Sequence, residues 1–136
     1  MSYAGDMTPQ QAWELLQADP NAVLVDVRTD AEWKYVGVPE TTSIGRRTLF
    51  VEWVTYPTGA PNEDFVDELT KAGVDGGPVI FLCRSGQRSI GAAEAATAAG
   101  LTPAYNVLEG FEGPLDADGH RGGQGWRAVG LPWRQS

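Results

Sequence analysis

The chain is poor in the side chains that staple small folds or bind metals. Its 136 residues contain one cysteine and one histidine. A single cysteine excludes an intrachain disulfide, and one Cys with one His cannot furnish a structural zinc site. No metal and no cofactor is therefore expected. Basic residues are also scarce, with 10 Lys and Arg against 18 Asp and Glu and a formal net charge of −8. That balance argues against a general nucleic-acid surface and against an anionic membrane surface. The longest uninterrupted apolar stretches are only a few residues long, too short for a transmembrane helix. Residues 1–10 carry Asp6 and have neither a basic n-region nor an apolar h-region, so they do not read as a signal peptide. The expected compartment is the reducing cytoplasm, where a lone thiol persists.

What remains is the composition of an ordinary soluble globular protein, 42% hydrophobic and 21% charged. The length suits one domain spanning 1–136 and leaves little room for a second. A domain of ~150 residues buries roughly two-thirds of its unfolded surface, so an independent core needs no covalent staple.

Thr8-Pro9 predicts a helix start, and residues 10–18 place Ala12, Leu15 and Leu16 on one face. The apolar run 22–27 reads as a buried parallel strand. A short helix follows over 30–35 with Asp30 as its cap, then a loop and a brief strand within 37–44. Residues 45–61 read as a loop with a short strand or helical turn. Asn62 is expected to cap a helix reaching Lys71, with Phe65, Val66 and Leu69 inward and Gly73 ending it. Residues 79–82 carry the strongest strand signal, 87–99 form an Ala-rich helix, and 104–108 a further strand. Residues 109–125 are acidic and glycine-rich without periodicity, and 126–133 read as a short helical turn docked by its tryptophans. Alternating strands and helices predict an α/β domain with a mostly parallel sheet, whose ligand sites lie at the carboxyl ends of the strands.

The lone cysteine falls at such an end, in Cys83-Arg84-Ser85-Gly86-Gln87-Arg88-Ser89. A strand–loop–helix junction turns backbone N–H groups toward one point, and the following helix adds the positive end of its dipole. Arg84 and Arg88 add two positive charges around a glycine that lets the loop curl. All three effects favour thiolate over thiol, so Cys83 is expected to be nucleophilic at neutral pH. A buried apolar cysteine is the plainer reading, but it does not explain two arginines and a glycine in the next five residues.

Cys83-Arg84-Ser85-Gly86-Gln87-Arg88 resembles the six-residue active-site loop of the rhodanese (thiosulfate sulfurtransferase-like) domain. Leu24-Val25-Asp26-Val27-Arg28 with Glu32-Trp33 is similar to that family's first-strand signature. Asn106-Val107-Leu108-Glu109-Gly110-Phe111 resembles its late strand and glycine turn, and Trp126-Arg127-Ala128-Val129-Gly130-Leu131-Pro132 its closing segment. The resemblance covers about 8–133. It implies a three-layer α/β/α fold with a mostly parallel central sheet. It further implies a loop cysteine that accepts a sulfane sulfur from a donor such as thiosulfate and passes it to cyanide or a thiol. On that basis Cys83 is the catalytic residue, and Arg84, Ser85, Gly86, Gln87, Arg88 and Ser89 form the substrate-binding loop. The expected partners are small sulfur-containing anions and a thiol or protein sulfur acceptor.

Loop length argues against phosphatase chemistry. Cysteine phosphatases space Cys and Arg by five residues to wrap a tetrahedral phosphate, whereas Arg88 follows Cys83 after four. Asp26 and Arg28 either orient the catalytic loop or form a local ion pair with a turn, and in the family the matching Asp is structural. Arg46 and Arg47 either extend a positive mouth or, as favoured, are solvated; Trp33 and Trp126 read as core or rim. His120 reads as a surface loop residue with a proton shuttle as the sharper alternative, and Asp116-Ala117-Asp118-Gly119 as a turn, since the later ligands of a calcium loop are missing. Two departures stand out. Gly37-Val38-Pro39-Glu40-Thr41-Thr42 replaces the common Gly-His-Ile-Pro-Gly-Ala, and the glycine-rich insert at about 112–125 is longer than usual. The insert and the acidic surface also suit a second function, a sulfur-relay or regulatory module acting on a protein. A redox sensor is less economical, because the chain holds no second cysteine to resolve a sulfenate.

Overall fold

A thiol placed at the end of a buried strand needs that strand covered on both faces, and the order of elements provides the cover. The structure, a computed structural model, describes residues 3–46, 48–55, 60–74, 77–115 and 117–135. Within them the order is β1 (Gly5–Met7), α1 (Pro9–Ala18), β2 (Val23–Asp26), α2 (Asp30–Tyr35) and β3 (Val38–Pro39), then a 3₁₀ turn (Thr42–Ile44) and β4 (Thr48–Phe50). There follow α3 (Phe65–Ala72), β5 (Val79–Leu82), α4 (Arg88–Ala98), β6 (Ala104–Val107) and β7 (Trp133–Arg134). Five strands make one sheet in the order β1-β6-β5-β2-β4, every neighbouring pair parallel. β3 and β7 form a separate antiparallel pair. No helix among the described residues is long and apolar enough to cross a membrane.

Side-chain alternation along β5 divides the core. Val79, Phe81 and Cys83 point into one cluster, built with Phe65 and Leu69 of α3 and Ala92, Ala93 and Ala96 of α4. Ile80 and Leu82 point into the other, with Ala12 and Leu16 of α1, Phe111, Trp126 and Leu131. Both faces of the sheet are thus dry, which is why β2 and β5 read as continuous apolar runs rather than alternating ones. The alanines of α4 leave little side chain between helix and sheet, so α4 lies close over β5 and β6.

The helix starts follow local capping chemistry. Thr8 and Gln11 form a reciprocal capping box ahead of Pro9. Thr29, not Asp30, caps α2: its hydroxyl accepts from the Glu32 N–H while Glu32 Oε1 accepts from the Thr29 N–H. Asn62 does not cap α3 either. Asp64 holds the cap position, and Asn62 Oδ1 accepts from the Asp64 N–H at 3.1 Å while its amide donates to the Glu52 carbonyl at 2.8 Å. The segment 37–44 runs in the reverse of the expected order, with the strand first and the turn after it, because β3 finds its partner in the distant β7. Trp126 is fully buried edge-on to Trp13, and Trp133, in β7 and partly exposed, packs edge-on against Phe111 at 6.1 Å, so both tryptophans dock the closing segment. Arg47 and Asp116 lie outside the described residues.

Asp26 and Arg28 form a salt bridge of 2.7 Å with both side chains fully buried. Arg28 also donates to the Gly37 carbonyl at 2.7 Å and stacks over Phe111 at 4.3 Å. The pair therefore joins the α1-side core to the start of β3, on the opposite face of the sheet from the Cys83 cluster. It forms a local ion pair with a turn, and among the described residues its hydrogen bonds stay within that turn and do not reach the cysteine loop. Removing one member strands a buried charge, at a cost of about 3–5 kcal/mol. Asp26→Ala is accordingly expected to lower urea unfolding stability by about that amount, and the double replacement Asp26→Leu with Arg28→Met by less than Asp26→Ala alone. Equal losses in the single and double variants would contradict the reading.

Candidate active site

β5 ends at Leu82, and the chain then turns through 83–87 into α4. Gly86 makes the turn possible, with φ +97 and its Cα hydrogens against the Val107 carbonyl and the Glu109 N–H. The turn is clamped from outside by the segment after β6. Phe111 N–H donates to the Cys83 carbonyl at 2.8 Å, and the Glu112 and Gly113 N–H groups donate to the Arg84 carbonyl at 3.0 and 3.2 Å. Gly110 lies flat against this turn, where a Cβ would meet the Cys83 carbonyl oxygen at 2.5 Å.

The clamp fixes where the sulfur points. Cys83 is 1% exposed. Its Sγ accepts from the Gly86 N–H at 3.1 Å and from the Ser89 hydroxyl at 3.1 Å. Ser89 is also hydrogen-bonded to Asn106 Oδ1, and the Asn106 amide donates to Asp6 Oδ1 at 3.0 Å and to the Gly86 carbonyl at 3.3 Å. The Ser89 hydroxyl has one proton and two acceptors, the sulfur and Asn106. It can follow the charge on the sulfur by rotating, with no backbone movement. Backbone N–H and hydroxyl donors aimed at one sulfur are the arrangement that stabilises negative charge there.

A cavity of about 520 Å³ opens over the sulfur, and its lining includes Cys83, Arg84, Ser85, Gln87, Arg88 and Glu32. The loop residues expected from the sequence are thus brought together, with Gly86 and Ser89 behind the sulfur and the others at its mouth. The two loop arginines, however, are not bare charges. Arg88 makes a bidentate pair with Glu32 at 2.8 and 2.9 Å. Arg84 Nε lies 3.0 Å from Glu112 Oε2, and Arg127 approaches the same carboxylate at 3.9 Å. Burial pushes the Glu32 carboxyl up, but the hydrogen bonds and charge of Arg88 and the Thr29 N–H outweigh it and hold Glu32 below its ordinary value. The hydrogen bonds of Glu32 raise Arg88 in turn, against the effect of burial.

Arg46 neither extends the mouth nor stands free in solvent, since its Nε donates to the Leu16 carbonyl at the end of α1 at 3.0 Å. His120 is exposed and outside the cavity lining. Trp33 packs edge-on against Phe50 at 5.2 Å. Among the described residues no cluster of three or more His, Cys, Asp or Glu could hold a metal. Asn106, Glu32, Glu112 and Arg121, which also lines the cavity, are site residues that sequence reasoning did not single out. Three of them act through partners far along the chain. Arg121 alone carried a local signal, as the one basic residue of the glycine-rich stretch 109–125.

A carboxylate held below its ordinary value stabilises the fold fully above that value and loses the contribution as pH falls through the lowered one. Glu32→Gln is expected to cost about 1–2 kcal/mol at pH 7 in urea unfolding. The deficit relative to wild type should shrink below about pH 4 as the wild-type carboxylate protonates. A deficit constant from pH 7 to acid would contradict the ion-pair assignment.

A family model for the rhodanese-like domain matches residues 8–116. The crystal structure of Rv0390 from M. tuberculosis is 64% identical, covers 98% of this chain and 99% of its own, and superposes with a TM-score of 0.91. The polysulfide-sulfur transferase homodimer from Wolinella succinogenes has the same fold at 24% identity, with a TM-score of 0.67 and coverage of 99% and 80%. Thiosulfate sulfurtransferase GlpE from Haemophilus influenzae is 28% identical over 111 residues, 79% of this chain and 85% of that protein. With its parallel sheet flanked by helices and its matched sequence, the chain belongs to the rhodanese-like domain family.

Proposed function

We propose that the protein is a sulfurtransferase that carries a sulfane sulfur as a persulfide on Cys83. The observation that carries this reading is the pair of donors, Gly86 N–H and Ser89 hydroxyl, each 3.1 Å from a sulfur at the floor of an open cavity. Similarity to a thiosulfate sulfurtransferase supports it. With thiosulfate as donor, the Cys83 thiolate attacks the sulfane sulfur and a new S–S bond forms. The bond from that sulfur to the sulfonate breaks, and its electron pair leaves with sulfite. The persulfide keeps one negative charge, now on the outer sulfur, as the thiolate did before it. Cyanide or a thiolate then attacks that outer sulfur, takes it as thiocyanate or as a new persulfide, and returns the Cys83 thiolate. Because the intermediate is covalent, the two half-reactions follow ping-pong kinetics. No general acid is required, since sulfite and thiolate both leave as anions. We place the reaction in a reducing, cytoplasmic compartment, where the single thiol stays free to receive sulfur.

Incubation with thiosulfate followed by intact-mass measurement tests the reading. The wild type should gain the mass of one sulfur atom, which a small thiol removes, and Cys83→Ser should gain nothing. No adduct on the wild type, or an equal adduct on Cys83→Ser, would overturn it.

A further inference from the structure

Three arginines line the cavity over Cys83: Arg84, Arg88 and Arg121. Arg88 is matched by Glu32 and Arg84 by Glu112, so each already has a carboxylate. Arg121 differs. Its Nη1 donates to the Gly113 carbonyl at 2.9 Å, its Nε is buried without a hydrogen-bond partner, and among the described residues no carboxylate lies within ion-pairing distance. The Nε is shielded from the cavity, but the guanidinium carries a full positive charge and N–H groups beyond the one held by Gly113, and an anionic acceptor entering the cavity can pair with them. The aliphatic side chains of Ala31, Val36 and Val54 form other parts of the wall. They keep the local dielectric low and strengthen any charge pairing made there.

The placement of Arg121 is tied to the cysteine loop. Gly113, whose carbonyl holds the guanidinium, uses its own N–H to hold the Arg84 carbonyl. Gly122, next to Arg121, donates to the Glu112 carbonyl at 3.0 Å. The returning arm of the glycine-rich insert is therefore fastened to the same short segment that clamps the turn at Cys83.

We infer that Arg121 is a specificity-determining residue that binds the anionic end of the sulfur donor while the sulfane sulfur meets Cys83. The identity of the donor rests on the sulfurtransferase reading above; the anion selectivity belongs to the cavity and can be measured without it. For thiosulfate, the sulfonate would pair with Arg121. The electron pair of the breaking S–S bond then flows toward this guanidinium as sulfite forms. The ion pairs at Glu32 and Glu112 stay intact throughout, so the loop keeps its shape while Arg121 supplies the charge.

Alkylation of Cys83 by iodoacetate and by iodoacetamide isolates the effect, because the two reagents displace iodide in the same way and differ in charge. Arg121→Gln should slow iodoacetate about tenfold and change iodoacetamide less than about twofold, as expected for loss of one charge-assisted hydrogen bond. Arg121→Lys should restore most of the iodoacetate rate. Lys71→Gln, which removes the same charge from the exposed side of α3, should move neither rate. In turnover, Arg121→Gln should raise KM for thiosulfate about tenfold with a smaller change in kcat. If Arg121→Gln slows both reagents equally, or neither, the inference is overturned. If the selectivity falls as expected while thiosulfate leaves no sulfur on Cys83, the anion site stands and the sulfurtransferase reading fails.

Discussion

The site depends on one contact, the docking of the 83–86 turn onto the segment 110–113. Three backbone hydrogen bonds and the bare face of Gly110 hold the carbonyls of Cys83 and Arg84 in place. Those two carbonyls sit where the strand stops pairing with its neighbours, so they would otherwise be orphaned in a water-poor junction. Satisfying them from outside leaves the inner side of the turn free. Gly86 N–H and Ser89 then point at the sulfur rather than at backbone acceptors. The rest of the architecture feeds this contact. Parallel β5 and β6 bring both segments to the same end of the sheet, and the small side chains of α4 let the helix start close behind the sulfur.

Charge serves two different roles here. Arg84 and Arg88 are fixed in ion pairs that brace the loop against Glu112, beside the clamp, and against Glu32 of α2. In that state they contribute geometry and donors more than net charge. The chain is acidic overall, whereas the lining of the cavity over the cysteine holds three arginines and one carboxylate. A small anion can enter such a cavity, whereas an extended polyanion is repelled by the net charge of the whole chain.

Much of this was legible from residues alone, for reasons that differ by element. The apolar runs at β2 and β5 are unambiguous because a strand buried on both faces is apolar at nearly every position, Asp26 at the end of β2 being buried only with its partner Arg28. Cys83, its loop and the helix after it lie next to one another in sequence, so their chemistry could be assembled by spacing. β1 was missed, being three residues long without a β-branched side chain, and defined only by its pairing with β6 at the far end of the chain. The caps at Thr29 and Asp64 were each misplaced because a competing polar neighbour, Asp30 or Asn62, offers the same capping chemistry one or two positions away. Glu32 and Asn106 fall inside segments that resemble the family's signatures, but their roles, like that of Glu112, escaped because an ion pair or hydrogen bond to a residue distant in sequence cannot be read from spacing. Without Glu32 and Glu112, Arg84 and Arg88 looked like free cations, and the one basic residue of the insert looked like part of a loop.

The most direct test of the account is the structure of the protein loaded with sulfur from thiosulfate. The account predicts a second sulfur atom bonded to Cys83 Sγ and lying in the cavity, with the Arg88–Glu32 and Arg84–Glu112 pairs and the 83–86 docking unchanged. A loaded state without sulfur on Cys83, or one in which Arg88 has left Glu32 to hold the incoming group, would contradict it.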